Sequence, residues 1–257
     1  MRTKTIFFDI DGTLYDHEKQ VPASTKEAIR KLQELGHQVA IATGRAPFMF
    51  EDLRRELGID SYVSLNGQYV VYEGNVIYQN PIDRSTLKNL TLFAESKDHP
   101  VAYMDDKAMK LNIEHHVDVE TSMGTLKFDV PEHDPEYYLG HDIYQAMVFC
   151  AEEYEEAYRK EYPALRFVRW HVVCMDVMPG IGSKAHGIAQ MLNLVGVDKA
   201  DTYAFGDGLN DIEMLQYVGH GIAMGNAHEE VKRSASFVTK NVDDNGIQFG
   251  LQHMGLL

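Results

Sequence analysis

The stretch Ile6-Phe7-Phe8-Asp9-Ile10-Asp11-Gly12-Thr13 constrains this chain more than any other. Three consecutive apolar residues suit a strand buried on both faces, the condition of a parallel sheet covered by helices. Asp9 stands where such a strand ends, and open parallel sheets bind ligands outside the carboxyl ends of their strands. Asp11, two residues on, leans to the same side in extended geometry. Two adjacent carboxylates repel unless a cation or a shared proton intervenes. Gly12 lets the backbone turn away in a conformation closed to other residues. A plain strand end with an Asp-Gly turn would look the same; the residues further along separate the two readings.

The pattern repeats. Ser24 and Glu27 fit a capping box. Ala28, Ile29, Leu32 and Leu35 recur at helical spacing up to Gly36, and Val39-Ala40-Ile41-Ala42 then runs into Thr43-Gly44-Arg45. Strand, helix and strand in that order form a right-handed parallel unit. Phe50, Leu53 and Leu57 mark a second helix, and Tyr62 to Leu65 a third strand. Residues 68–71 and 76–78 read as a hairpin about a Gly-Asn loop.

From about residue 82 to residue 182 the strands no longer alternate with single helices. Val101 to Met104 with Ala108 to Leu111, and Leu165 to Trp170 with Val172 to Val177, read as strand pairs. Ala151 to Tyr162 reads as a solvated helix carrying Tyr154 and Tyr158, and 112–140 fits no pattern. Strand pairs with a few helices suggest an α+β module inserted into the α/β domain. After Pro179-Gly180 the alternation resumes. A helix carries Lys184 in its first turn, where the dipole disfavours a cation by a few tenths of a kcal/mol. Tyr203-Ala204-Phe205 leads into Gly206-Asp207-Gly208-Leu209-Asn210-Asp211, and Gly221 to Met224 into Gly225-Asn226.

Composition narrows the classes. The formal charge of −15 on 257 residues, without a basic stripe, argues against nucleic acid as a partner. No apolar run is long enough for a signal peptide or a membrane span. Cys150 and Cys174 read as buried thiols in a reducing compartment, and with no signal-peptide run this argues for the cytoplasm. His99, His115, His116, His133 and His141 have no metal-ligand spacing and read as solvated loop residues.

In a parallel sheet, Asp9/Asp11, Thr43/Gly44, Lys184 and Asp207/Asn210/Asp211 all fall along one edge. Several carboxylates, a lysine and exposed amides are what a Mg2+-dependent phosphoryl site needs. Mg2+ takes oxygen ligands and keeps several waters, and with Lys184 it would offset charge on phosphoryl oxygens.

Through these motifs the chain resembles the haloacid dehalogenase (HAD) superfamily phosphatases, specifically the Cof-type group with a type IIB cap. Asp9-Ile10-Asp11-Gly12-Thr13, Thr43-Gly44-Arg45, Lys184 and Gly206-Asp207-Gly208-Leu209-Asn210-Asp211 occur in the family's order, over essentially the whole length. The resemblance implies a Rossmann-like parallel-sheet core at 1–82 and 183–257. It also implies an inserted α+β cap domain at 83–182 that sets substrate specificity. Asp9 would attack phosphorus and become an aspartyl-phosphate; Asp11 would protonate the leaving oxygen and then activate water. Asp9, the carbonyl or carboxylate of Asp11, and Asp207 would hold Mg2+. The Ile10 amide, Thr43, Gly44, Lys184 and Asn210 would grip the phosphoryl group, with Asp211 behind them orienting Lys184 or metal-bound water. The implied activity is Mg2+-dependent hydrolysis of a small phosphorylated metabolite such as a sugar phosphate. A sugar phosphomutase on the same core and a non-enzymatic phospho-aspartate receiver are the alternatives.

Overall fold

The computed structural model describes residues 3–257. The chain divides into two compact units. One comprises the chain up to Arg45 with Met49–Tyr78 and Ser183–Leu257; the other comprises Gln79–Gly182 with Ala46–Phe48.

In chain order the first unit begins with β1 (Thr5–Phe8), α1 (Ala23–Glu34), β2 (Gln38–Ala42), α2 (Glu51–Leu57), β3 (Tyr62–Ser64), β4 (Tyr69–Tyr72) and β5 (Asn75–Gln79), whose last residue falls to the second unit. The second unit contains α3 (Arg84–Glu95), β6 (Val101–Met104), β7 (Met109–Leu111), α4 (Val117–Thr125), β8 (Glu132–His133), α5 (Tyr137–Gly140), β9 (Gln145–Val148), α6 (Glu155–Glu161), β10 (Leu165–His171) and β11 (Cys174–Pro179). The first unit resumes with α7 (Lys184–Val195), β12 (Thr202–Gly206), α8 (Ile212–Tyr217), β13 (His220–Ala223), α9 (Glu229–Ser234), β14 (Phe237–Val238) and α10 (Gly246–His253).

The first sheet runs β14-β13-β12-β1-β2-β3-β4-β5, parallel from β14 through β3, with β4 antiparallel to β3. This is a mixed α/β, Rossmann-like sheet. Strand order reverses at β1, which pairs with β2 on one side and β12 on the other, so the crevice beyond Phe8 is the switch point of the sheet. β1 is buried along its whole length, as its apolar run requires. Phe7 joins Ile188, Met191 and Met214 on one face, and Phe8 stacks on Phe205 at 5.1 Å between ring centroids.

The second unit is a six-stranded sheet in the order β10-β11-β9-β6-β7-β8, antiparallel except for β7 with β8. Val101, Tyr103, Ala146, Val148, Met175 and Val177 alternate onto one face and pack with Leu87 and Leu90 of α3, Tyr138 of α5 and Tyr158 of α6.

Several local expectations change. Helix α1 starts at Ala23 with Pro22 as its cap and no side-chain cap bond. Glu27 is occupied by Arg30 and Lys31 instead of reaching back to Ser24. The hairpin turns on Glu73-Gly74, both at positive φ (47° and 77°), not on Gly-Asn; that matches the two-residue turn favoured between antiparallel strands. The 151–162 segment is a 3-10 turn followed by α6, and Tyr158 is fully buried rather than solvated. His99 is likewise buried, its Nδ1 2.8 Å from the Tyr158 hydroxyl. The unplaced 112–140 segment contains α4, β8 and α5, with His116 accepting the Asp118 amide at the start of α4.

One close approach fixes where α7 begins. Gly67, at φ +92°, lies so near the Ser183 carbonyl that a Cβ would sit 2.0 Å from that oxygen. Gly67→Ala should therefore cost about 2–4 kcal/mol, combining overpacking with a left-handed backbone. A lowered urea midpoint together with reduced activity is the expected readout, because Lys184 immediately follows Ser183. A wild-type midpoint would remove this contact as a constraint.

Candidate active site

Asp9 follows β1 directly, its amide donating to the Phe205 carbonyl, so its position is set by the β1–β12 pair. Its Oδ1 accepts from Lys184 Nζ at 2.6 Å. The same ammonium donates to Asp211 Oδ1 at 2.6 Å, and all three side chains are almost entirely buried. The oddly placed cation at the start of α7 is thus compensated by two carboxylates. Asp211 Oδ2 accepts the Asp207 and Gly208 amides at 3.0 and 2.9 Å, so both of its oxygens are engaged in holding the loop after β12.

Carboxylate oxygens of Asp9, Asp207 and Asp211 lie within 4.8 Å of one another. Burial pushes the Asp9 carboxyl well above its ordinary range, with Asp211, Asp207 and Asp11 outweighed only in part by Lys184. Burial, then Asp211, lift Asp207 to about 7. Lys184 loses solvation, but Asp211 and Asp9 hold its pKa above that of an ordinary lysine. Crowded hard oxygen donors that resist ionisation together are a donor set suited to a divalent cation. With Asp211 committed to Lys184 and two amides, Asp9 and Asp207 are the carboxylates such a cation would use.

The Asp11 side chain faces elsewhere. Arg45 grips it with Nε at 2.8 Å and Nη2 at 2.7 Å, and Lys19 Nζ reaches the same Oδ1 at 2.5 Å. Burial alone would raise its pKa; Arg45 and Lys19 override that and hold it at about 2. What Asp11 leaves near Asp9 for a cation is its main chain. Gly12 makes this turn possible: it sits at φ +74°, and a Cβ there would lie 2.1 Å from Asp207 Oδ2.

The other anticipated residues lie on the same edge. Ile10 is buried, its carbonyl accepting the Tyr15 amide. Thr43 directly follows β2, and its hydroxyl accepts the Arg45 amide at 3.1 Å. Asn210 Nδ2 donates to Asn66 Oδ1 at 3.2 Å. Asn66 also approaches Gly44, whose missing Cβ would be 3.1 Å from its carboxamide.

Four participants were given no role in the sequence analysis. Lys19 and Arg45 bind Asp11. Asn66 supports Asn210, and Asn226 donates to Asp207. Arg45 stands in the Thr43-Gly44-Arg45 motif, and Asn66 and Asn226 just past strands, which were the available signals; Lys19 carried none, since its reach depends on a left-handed backbone at φ +61°.

The sequence profile of haloacid dehalogenase-like hydrolases matches residues 6–251. The Bacillus subtilis protein YkrA is 48% identical over 257 residues, covering all of both chains. A crystal structure from Geobacillus kaustophilus shares 58% identity with a TM-score of 0.95, covering 99% of this chain and 100% of that one. The HAD subclass IIB sugar phosphatase BT4131 shares 32% identity with a TM-score of 0.88, over 99% and 100% of the two chains. Among the described residues no helix is long and apolar enough to cross a membrane.

Removing Lys184 tests the electrostatics. Lys184→Met leaves two buried carboxylates without their cation, a change that typically costs about 3–5 kcal/mol. The Asp9 carboxyl, already raised, rises further, so the variant should recover stability as pH falls and that group protonates. Thermal unfolding at pH 8 and pH 5.5 should show the deficit shrinking at the lower pH. A deficit that is equal at both would contradict the buried ion triad.

Proposed function

We propose, since the chain belongs to the haloacid dehalogenase-like hydrolase family, that it hydrolyses small phosphomonoesters with Mg2+ as cofactor and Asp9 as nucleophile. The observation that carries this reading is the end of β1. There a carboxylate is paired with a buried ammonium at 2.6 Å and stands among two further carboxylates. A nucleophile, a fixed cation and a divalent-cation donor set are the parts that phosphoryl transfer requires.

An oxygen of Asp9 attacks phosphorus, the bond to the leaving oxygen breaks, and that oxygen takes a proton from Asp11. Water then attacks the aspartyl-phosphate while Asp11 accepts its proton, and inorganic phosphate departs. Lys184, the Ile10 amide, Thr43, Gly44 and Asn210 hold the phosphoryl oxygens, and Asp211 keeps Lys184 in place. Asp9, the Asp11 carbonyl and Asp207 would hold Mg2+, which would offset the charge of both carboxylates and of the phosphoryl oxygens. Asp11 cannot donate a proton while Arg45 and Lys19 hold it ionised. Its acid step therefore needs the side chain to leave that clamp for the leaving oxygen, where a dianionic phosphate raises its pKa.

We assign residues 83–182 to substrate selection and the chain to the cytoplasm, where the buried thiols of Cys150 and Cys174 stay reduced. A sugar phosphate or a similar small metabolite is the substrate class, in keeping with the sugar phosphatase BT4131. Release of inorganic phosphate from a panel of sugar phosphates, nucleotides and pyridoxal phosphate tests the reading. Isomer formation without phosphate release would overturn it.

Cation dependence should carry a pH signature. A cation binds the deprotonated form of its ligands, and Asp207 keeps its proton up to about pH 7. The Mg2+ concentration for half-maximal activity should rise as pH falls from 8 through 7 to 6, and chelation should abolish turnover. Full activity after exhaustive chelation would eliminate the metal.

The two tasks of Asp11 predict a kinetic asymmetry. Proton transfers of this kind are worth about 10²–10⁴ in rate. A sugar alkoxide needs the proton to leave, and a nitrophenolate does not. Asp11→Asn should slow sugar phosphates severely yet release a burst of nitrophenol from nitrophenyl phosphate. Slow turnover should follow as phosphorylated Asp9 accumulates. Asp9→Asn should show neither phase. Rapid mixing checks this, and a wild-type steady state in Asp11→Asn would remove Asp11 from the chemistry.

A further inference from the structure

We propose that Asn226 is a positioning residue that holds the Asp207 carboxylate and the turn after Asp11 in register for Mg2+, an assignment that rests on the metal reading above. Asn226 lies just beyond β13, the next strand after β12 in the sheet. Its carboxamide is used at both ends. Nδ2 donates to the Gly12 carbonyl at 2.8 Å and approaches Asp207 Oδ2 at 3.4 Å. Oδ1 accepts the Val242 amide at 2.9 Å. One planar group therefore ties three separate segments together: the turn that follows the nucleophile, the loop after β12 and the segment preceding α10.

The main chain on either side is anchored independently. The Met224 amide donates to the Gly206 carbonyl at 2.9 Å, the Gly225 amide to the Lys240 carbonyl at 2.9 Å and the His228 amide to the Asp207 carbonyl at 3.3 Å. Asn226 thus hangs from a fixed backbone and reaches across to a carboxylate that otherwise has only the Thr13 hydroxyl, at 3.5 Å, among the side-chain bonds described to its Oδ1. Asn226 meets the other oxygen. The Gly12 carbonyl that it holds belongs to the residue next to Asp11, whose own carbonyl is the proposed main-chain ligand. The position of one ligand and the orientation of another depend on the same carboxamide.

Partners of this kind typically contribute about 10–100-fold to metal affinity. They also affect the choice of ion. Mg2+ demands near-octahedral oxygen geometry at short range, whereas Ca2+ tolerates irregular, looser sites. Loosening Asp207 and the Gly12 turn should therefore harm Mg2+ binding more than Ca2+ binding.

Calorimetric titration of the full-length protein with Mg2+ and with Ca2+ tests this without recourse to turnover. Asn226→Ala should weaken Mg2+ by about 10–100-fold and Ca2+ by clearly less, so that the ratio of the two affinities shifts toward Ca2+. If Asn226→Ala does not fold, Asn226→Ser serves, since its shorter side chain cannot span from Val242 to Gly12. Val242→Ala, which trims a buried side chain but leaves its amide, controls for general loosening and should leave the ratio unchanged. Unaltered Mg2+ affinity in the Asn226 variants, or equal loss for both ions, overturns the assignment alone. A wild-type protein that binds neither ion overturns the assignment together with the metal reading.

Discussion

The buried contact of Lys184 with Asp9 and Asp211 is the interaction on which the rest of the site depends. Taking three charged groups out of water costs several kcal/mol per ion, repaid only when geometry and supporting hydrogen bonds are good. Both requirements reach far into the fold. Lys184 can stand there because α7 starts immediately after the Ser183–Gly67 approach. Ser183 supplies the side-chain cap through the His186 amide. Asp211 can stand there because its second oxygen is satisfied by two loop amides. Asp9 is fixed by the parallel pairing of β1 with β12. The sheet, the helix and the loop after β12 converge on one ammonium.

Charge balance around that ammonium supports the proposed need for a divalent cation. Three carboxylates meet a single buried lysine, while Arg45 and Lys19 are taken up by Asp11. The centre is therefore short of positive charge, and the chain as a whole carries −15. A phosphate dianion approaching such a centre would be repelled until a cation had bound; burial first, and the crowded carboxylates after it, raise the pKa of Asp9 and Asp207. The proposed attraction for a divalent cation, and the proposed need for it before substrate, would both follow from this imbalance.

The α/β core was readable because burial on both faces leaves so little choice of residue. Ile6-Phe7-Phe8 and Tyr203-Ala204-Phe205 could only be interior strands, and charged residues directly behind them could only lie at the edge of the sheet. The second unit was less legible for a physical reason. Helix α4 buries Val119, Ser122 and Met123, and Ser122 meets its burial by bonding to the Asp118 and Val119 carbonyls. A hydroxyl satisfied by its own helix is invisible to a hydrophobic periodicity. His99 was misplaced similarly, since its partner hydroxyl on Tyr158 is fifty-nine residues away. Glu27 shows the converse: Ser24 and Glu27 spell a cap pattern, but the helix begins before Ser24, at Ala23, and Glu27 pairs with Arg30 and Lys31 instead.

Asp11 shows where residue type and position stop determining chemistry. Its place beside Asp9 follows from the strand and the Gly12 turn, both legible in the sequence. Its protonation state does not. It depends on Arg45, set by the backbone after β2, and on Lys19, which reaches Asp11 through a left-handed residue in a loop closed by Asp16. Those two cations lower its pKa to about 2, opposite to what an acid needs and suited to a group held in reserve. In the proposed mechanism the main chain of Asp11 would serve a cation continuously, while its side chain would serve the proton only on release from Arg45 and Lys19. The two proposed offices are compatible in a single residue, because they fall to different atoms and to different arrangements of the same site.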